Sequence, residues 1–275
     1  MDVWEINMKA NKKVLRQALS LTFISALILT ACQQPEPPPV LTATIGTYNY
    51  QIEPNTQKTL VGTSVLLRVR TAKNERIPEN RTISIIGSND WNGSKVLTID
   101  YPKNADWVLY NNQNIPATIG KFNIQLNPLP NQTSQVNTSK ELLTTTPLPL
   151  IEFETVSGSR NTVTGQWKPL ANTESYFCRL LNGTDQIFLS NVKYIKDTQV
   201  TLDATQDQFS TLNPDKAHLL VVYAANFDTT TDDAVLPQDL LISDSARFFD
   251  VIEPASQKAH TKASRVPRET VLIKY

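Results

Sequence analysis

The chain is poor in the residues that carry chemistry. Its 275 residues include two cysteines, two histidines and eight glycines. Metal centres are built from clustered Cys, His, Asp or Glu, and His218 and His260 lie far apart in the chain. A serine nucleophile needs a base and an orienting acid within hydrogen-bond reach. Only those two histidines could serve as an imidazole base, and no Gly-x-Ser-x-Gly elbow occurs. The few glycines fall in neither a GxGxxG nor a GxxxxGK spacing, so no phosphate-cradling loop is supported. Formal net charge is zero, which offers no basic face for nucleic acid. No catalytic, cofactor-binding or metal-binding residue is therefore assigned, and the expectation is a protein that is not an enzyme. Paired carboxylates of the glycosidase kind need no special spacing in sequence, so a carbohydrate-active enzyme stands as an alternative.

What the chain does have is an ordered N-terminal signal. Lys9, Lys12, Lys13 and Arg16 form a basic front. The run from Leu19 to Ala31 behind them is apolar apart from small hydroxyls, and it carries no charge. It is shorter than the ~20 residues a spanning helix needs and has the size of a secretory h-region. It ends in Leu29-Thr30-Ala31-Cys32. Met8 makes a better start than Met1, because Asp2 and Glu5 precede the basic front.

This order resembles bacterial lipoprotein precursors, in which the lipobox cysteine is acylated and becomes the new N-terminus. The resemblance covers residues 8–32 and implies a signal peptide over 1–31 and lipidation at Cys32. It implies attachment to the membrane through acylated Cys32, since several buried acyl chains make an anchor stable. Gln33, in place of an aspartate after the cysteine, points to the outer membrane rather than the inner. Removing residues 1–31 takes away four basic and two acidic side chains, leaving 22 basic and 24 acidic residues and a net charge of −2. With Cys32 acylated, Cys178 has no partner in the chain, and a disulfide framework is excluded.

Long helical periodicity is missing after residue 32, while Thr, Asn, Val, Leu and Ile abound. That pattern predicts an all-β protein of many short strands, arranged as two antiparallel β-sandwich domains. Residues 32–39 are a proline-rich tether favouring extended polyproline II. Residues 40–127 form the first sandwich, similar in general to bacterial immunoglobulin-like modules. Its candidate strands are Val40–Ile45, Asn49–Ile52, Ser64–Arg70, Thr82–Ile86, Val96–Tyr101, Trp107–Leu109 and Lys121–Leu126. Val65, Leu67 and Val69 alternate with Ser64, Leu66 and Arg68. Trp91 and Trp107 read as core or rim aromatics. Residues 128–147, rich in Pro, Thr, Asn and Gln, have too little apolar content to fold alone and read as an interdomain linker.

Residues 148–252 form the second sandwich. Leu212-Asn213-Pro214 is followed by His218, Leu220, Val222, Ala224 and Asn226 at alternate positions. Fibronectin type III domains resemble this at their E–F corner and F strand, with one departure: His218 stands where the family has a tyrosine. Its ring nitrogen is expected to replace the hydroxyl as donor to nearby backbone. Trp167 sits where the family's B-strand tryptophan sits, and Tyr176, Cys178 and Leu180 alternate like its C strand. The other strands are expected at Leu150–Phe153, Gln199–Leu202 and Ser245–Val251. Because strand side chains alternate, Leu219, Val221 and Tyr223 face away from Leu220, Val222 and Ala224. A strand apolar on both faces belongs in mid-sheet, with one face partly covered by a neighbour. Cys178 reads as an inert buried thiol. Asp228-Thr229-Thr230-Thr231-Asp232-Asp233 falls in the F–G loop, where carboxylates could hold Ca²⁺, although the EF-hand spacing is lacking. Residues 253–275 read as a disordered basic tail. Together these features predict a lipid-anchored envelope protein that presents sandwich surfaces to an unidentified protein or glycan. The alternative is a periplasm-facing accessory lipoprotein of an envelope assembly.

Overall fold

We describe the structure, a computed structural model, over residues 37–91, 94–103, 105–129, 136–183 and 187–252. Fourteen strands follow one another, with no helix among the described residues. They are β1 (Val40–Gln51), β2 (Thr59–Arg70), β3 (Arg81–Trp91), β4 (Ser94–Tyr101), β5 (Val108–Asn112), β6 (Gly120–Leu126) and β7 (Val136–Leu142), then β8 (Phe153–Gly158), β9 (Thr162–Trp167), β10 (Ser175–Asn182), β11 (Lys193–Ile195), β12 (Gln199–Asp203), β13 (His218–Ala225) and β14 (Asp239–Phe249).

Each half is a three-stranded set facing a four-stranded one. In the first half, β1-β2-β5 pack against β4-β3-β6-β7; in the second, β12-β9-β8 pack against β11-β10-β13-β14. The second half is a three-on-four sandwich, with Trp167 on β9 and the alternating Leu220, Val222 and Ala224 on β13 inside it. Period-two alternation builds the first core as well. Val65, Leu67 and Val69 of β2 meet Ile83 and Ile85 of β3 and Phe122, Ile124 and Leu126 of β6, while Lys121 and Asn123 face out.

The two halves are not beads on a string. β1 pairs with β14 in parallel, Ile45 opposite Asp239 through Asn49 opposite Ser243. This seam joins the two facing sheets into one of seven strands, β11-β10-β13-β14-β1-β2-β5. The joined sheet curls until its edges approach: Trp107, just ahead of β5, sits edge-on to Tyr194 of β11 with ring centroids 5.8 Å apart. Inside the curl lies a third core of Tyr48, Tyr50, Leu66, Phe177, Leu181, Leu219, Val221, Phe227 and Ile242. The second apolar face of β13 is thus covered by the first sandwich.

Three expectations need correction. The segment 128–147, expected as a strandless linker, contains β7, an edge strand laddered to β6 from Gly120–Leu142 to Leu126–Val136. Edge position explains the low apolar content: β7 buries only Leu142 fully, and its backbone finds partners on β6. β1 is one strand rather than two, because Gly46 marks a close approach instead of a break. A methyl group there would lie 1.6 Å from the Leu240 carbonyl oxygen across the seam. β8 begins at Phe153, later than expected. The preceding residues 148–151 instead bridge the sandwiches, Asn49 Nδ2 donating to the Leu148 carbonyl at 2.7 Å and Ile151 N–H to Ser245 Oγ at 2.8 Å.

Candidate functional site

The junction of the sandwiches concentrates the polar groups that the sequence left unassigned. Asp244, in mid-β14, is 2% exposed. The parallel ladder, which reaches Asn49 opposite Ser243, brings it to the end of β1, and antiparallel pairing sets it opposite Tyr223. Its Oδ2 accepts from the Tyr48 hydroxyl at 2.6 Å and its Oδ1 from the Gln51 N–H at 2.9 Å. Gln51 Oε1 in turn accepts from the Ala246 N–H at 2.6 Å. Burial pushes the Asp244 carboxyl up to about 7, with the hydrogen bonds from Tyr48 and Gln51 opposing the rise. Burial, with the charge of Asp244 adding to it, likewise pushes Tyr50 up to about 12. A carboxyl in this setting can switch protonation near neutrality while it holds β1 to β14. The sequence carried one trace of it, the polar Ser243-Asp244-Ser245 run directly after the apolar Leu240-Leu241-Ile242.

A second feature lies at the end of the seam where β1 and β14 begin. Here the 226–238 loop of the second sandwich is clasped by the first. Arg68 donates to the Ala234 carbonyl at 3.1 Å, and Thr44 Oγ1 to the carbonyls of Pro237 and Gln238 at 2.9 and 3.0 Å. Arg76 reaches Asp232 at 3.5 Å and also binds Asp106, which pairs with Arg70 at 3.0 Å. Burial opposes ionisation of Asp106, yet hydrogen bonds from Arg76 and Asp232 and the nearby guanidinium charges hold it below the usual carboxylate range. The shared hydrogen bond to Asp106 raises Asp232. Between the loop, β1 and the outer edge of β7 runs an open groove of about 640 Å³. Its rim carries Leu143 and Val235, the latter 87% exposed.

The loop carboxylates considered for calcium do not converge. Asp228 accepts from the Thr230 N–H and hydroxyl at 3.0 and 2.6 Å and pairs with Lys196 at 2.6 Å, while Asp232 turns to Arg76. Among the described residues no three metal-ligating side chains cluster.

Cys32, the rest of residues 1–36 and the tail 253–275 lie outside the described residues, as does the side chain of Trp91. His218 is buried, and its Nε2–H donates to the Asn213 carbonyl at 2.9 Å, the corner contact expected of it. Trp167 packs edge-on to Phe153 and Tyr176. Trp107 belongs to the inter-sandwich core through Phe227, 5.7 Å away. Cys178 is fully buried, and burial pushes its thiol up to about 12, so the reactive thiolate is suppressed. Sequence reasoning missed the groove, because it is assembled from four distant segments.

No protein-family model matches the chain, and no curated protein matches it. Among solved structures, it is similar to a two-domain fibronectin type III segment of chicken tenascin, at 13% identity and a TM-score of 0.27 over 74% of this chain and 99% of that one. It is also similar to the FN1–FN3 domains of chicken CNTN1, at 7% identity and a TM-score of 0.28 over 76% of this chain and 63% of that one.

Proposed function

We propose that the chain is a lipid-anchored protein of the bacterial cell envelope, held at the outer membrane through acylated Cys32. Its fused sandwiches bind a protein or glycan without catalysis. The observation that carries the anchoring is the ordered run of basic front, short apolar stretch and Leu29-Thr30-Ala31-Cys32, followed at once by a proline tether. The binding role is supported by two sandwiches joined through one seven-stranded sheet, a body that presents edge strands such as β7 at fixed spacing. Fold alone does not assign function, so the test addresses the anchor first. Growth with an alkyne fatty acid, followed by mass spectrometry of the Cys32 peptide, should find it acylated and N-terminal. A Cys32→Ser chain should be unlabelled and keep residues 8–31. An unmodified wild-type thiol with the signal still attached would sink the proposal.

One observation favours the accessory reading over outward display. The shared seven-stranded sheet fixes the spacing of the two sandwiches, which suits a spacer inside an envelope assembly. Protease treatment of intact cells separates the two. Release of the body supports display, and protection supports a periplasm-facing role.

A further inference from the structure

We propose that the end of the body where β1 begins is a bilayer-contact surface, with Val40, Leu143 and Val235 seated among phospholipid headgroups. This inference rests on the lipoprotein reading, and it names the surface that such an anchor brings to the membrane. Eight residues, Cys32–Pro39, separate the acylation site from β1. At the polyproline rise they span at most ~25 Å, so the start of β1 stays within that distance of the lipid surface. The three side chains are 51%, 48% and 87% exposed, and all belong to this end. Val40 opens β1, and Leu143 and Val235 rim the groove that Thr42 and Ala43 line.

The frame beneath them is stiff. Thr44 holds the carbonyls of Pro237 and Gln238, Arg68 holds that of Ala234, and the Leu143 N–H donates to Asp239 Oδ1 at 3.3 Å. Aliphatic groups on a rigid support lose little conformational freedom when they enter an interface. The groove lining carries two cations, Arg68 and Lys140, and two carboxylates, Glu141 and Asp233. That balance suits a surface that is mostly zwitterionic and leaves the aliphatic groups to decide the contact. The tether makes the contact intramolecular, so a weak apolar surface suffices at the resulting effective concentration. The opposite end of the body is far away. Asp215, exposed ahead of β13, lies near the end of β14, about 35 Å along that strand from its start.

The test uses the full acylated chain, reconstituted into vesicles of phosphatidylethanolamine with a minor part of phosphatidylglycerol and brominated lipid as quencher. Cys178 is buried and Cys32 carries lipid, so a single added cysteine takes a polarity-sensitive dye. The dye on Val235→Cys should be quenched several-fold more than on Asp215→Cys, and 1 M salt should leave the difference in place, as expected for contact by apolar groups. Adding Leu143→Asn and Val40→Asn should reduce it. Equal quenching at both positions, with the Cys32 peptide acylated by mass spectrometry, overturns the surface while leaving the anchor intact. An unacylated Cys32 peptide overturns both. A response only in native membranes, with crosslinking to a protein, assigns the groove to that protein and overturns the lipid contact.

Discussion

Asp244→Asn should make the protein more stable at pH 8 while changing it little at pH 4. The native carboxyl holds its proton up to about 7, whereas the unfolded chain releases it near 3.8. Between these values the native state binds one more proton, so stability falls as pH rises through the window and levels off above it. A rise from 3.8 to about 7 corresponds to about 4 kcal/mol. Asparagine resembles the protonated acid. Its Oδ1 can accept from the Gln51 N–H while its amide donates to the Tyr48 oxygen, and it cannot ionise. The lowered carboxyls Asp106, Asp203 and Asp228 act in a different window, since the stability they add is present above 3.8 and lost only as pH falls below it. Urea melts of both chains from pH 4 to 8 isolate the effect of this one carboxyl. The variant-minus-native difference should grow by up to about 4 kcal/mol with rising pH. A difference that stays constant over the range refutes the reasoning and places a compensating cation or solvent at Asp244.

Gly46→Ala should cost about 3 kcal/mol or more, because the added methyl meets the Leu240 carbonyl and must spread β1 from β14. Amide exchange should rise at Leu240 and Ile242 while β3 and β6 stay protected; uniform protection contradicts the seam. Trp167→Ala should cost ~3–5 kcal/mol in a urea melt, the usual range for a buried aromatic, and a change under about 1 kcal/mol argues against its place at the centre of the second sandwich. Cys178 should resist iodoacetamide at pH 8 in the native protein and react readily in urea; rapid native alkylation contradicts its burial.

Much of the fold was legible because strand alternation reports burial directly. Phe122-x-Ile124-x-Leu126 and Leu220-x-Val222-x-Ala224 point into the cores that their patterns implied. The two-sided apolar character of β13 suggested partial cover of one face, and the structure packs that face against Tyr48, Tyr50 and Leu66 of the first sandwich. What failed was pairing at a distance. β7 hides among Thr, Ser and Lys because an edge strand needs backbone partners more than apolar side chains. The β1·β14 seam joins residues some 190 positions apart, and no local pattern encodes a partner so remote. Asp244 was passed over for the same reason: nothing near it in sequence points to its partners Tyr48 and Gln51. The groove at the junction likewise exists only once four segments meet.

That remoteness has a kinetic side. The opening strand of the body is closed by the final one, so a nascent chain cannot complete its central sheet until the C-terminal residues are free to join it. Folding dominated by such late, distant closures is slow. Under the lipoprotein reading proposed above, the chain crosses a secretion pore before it acquires shape, and that delay keeps it extended until the whole of it has crossed.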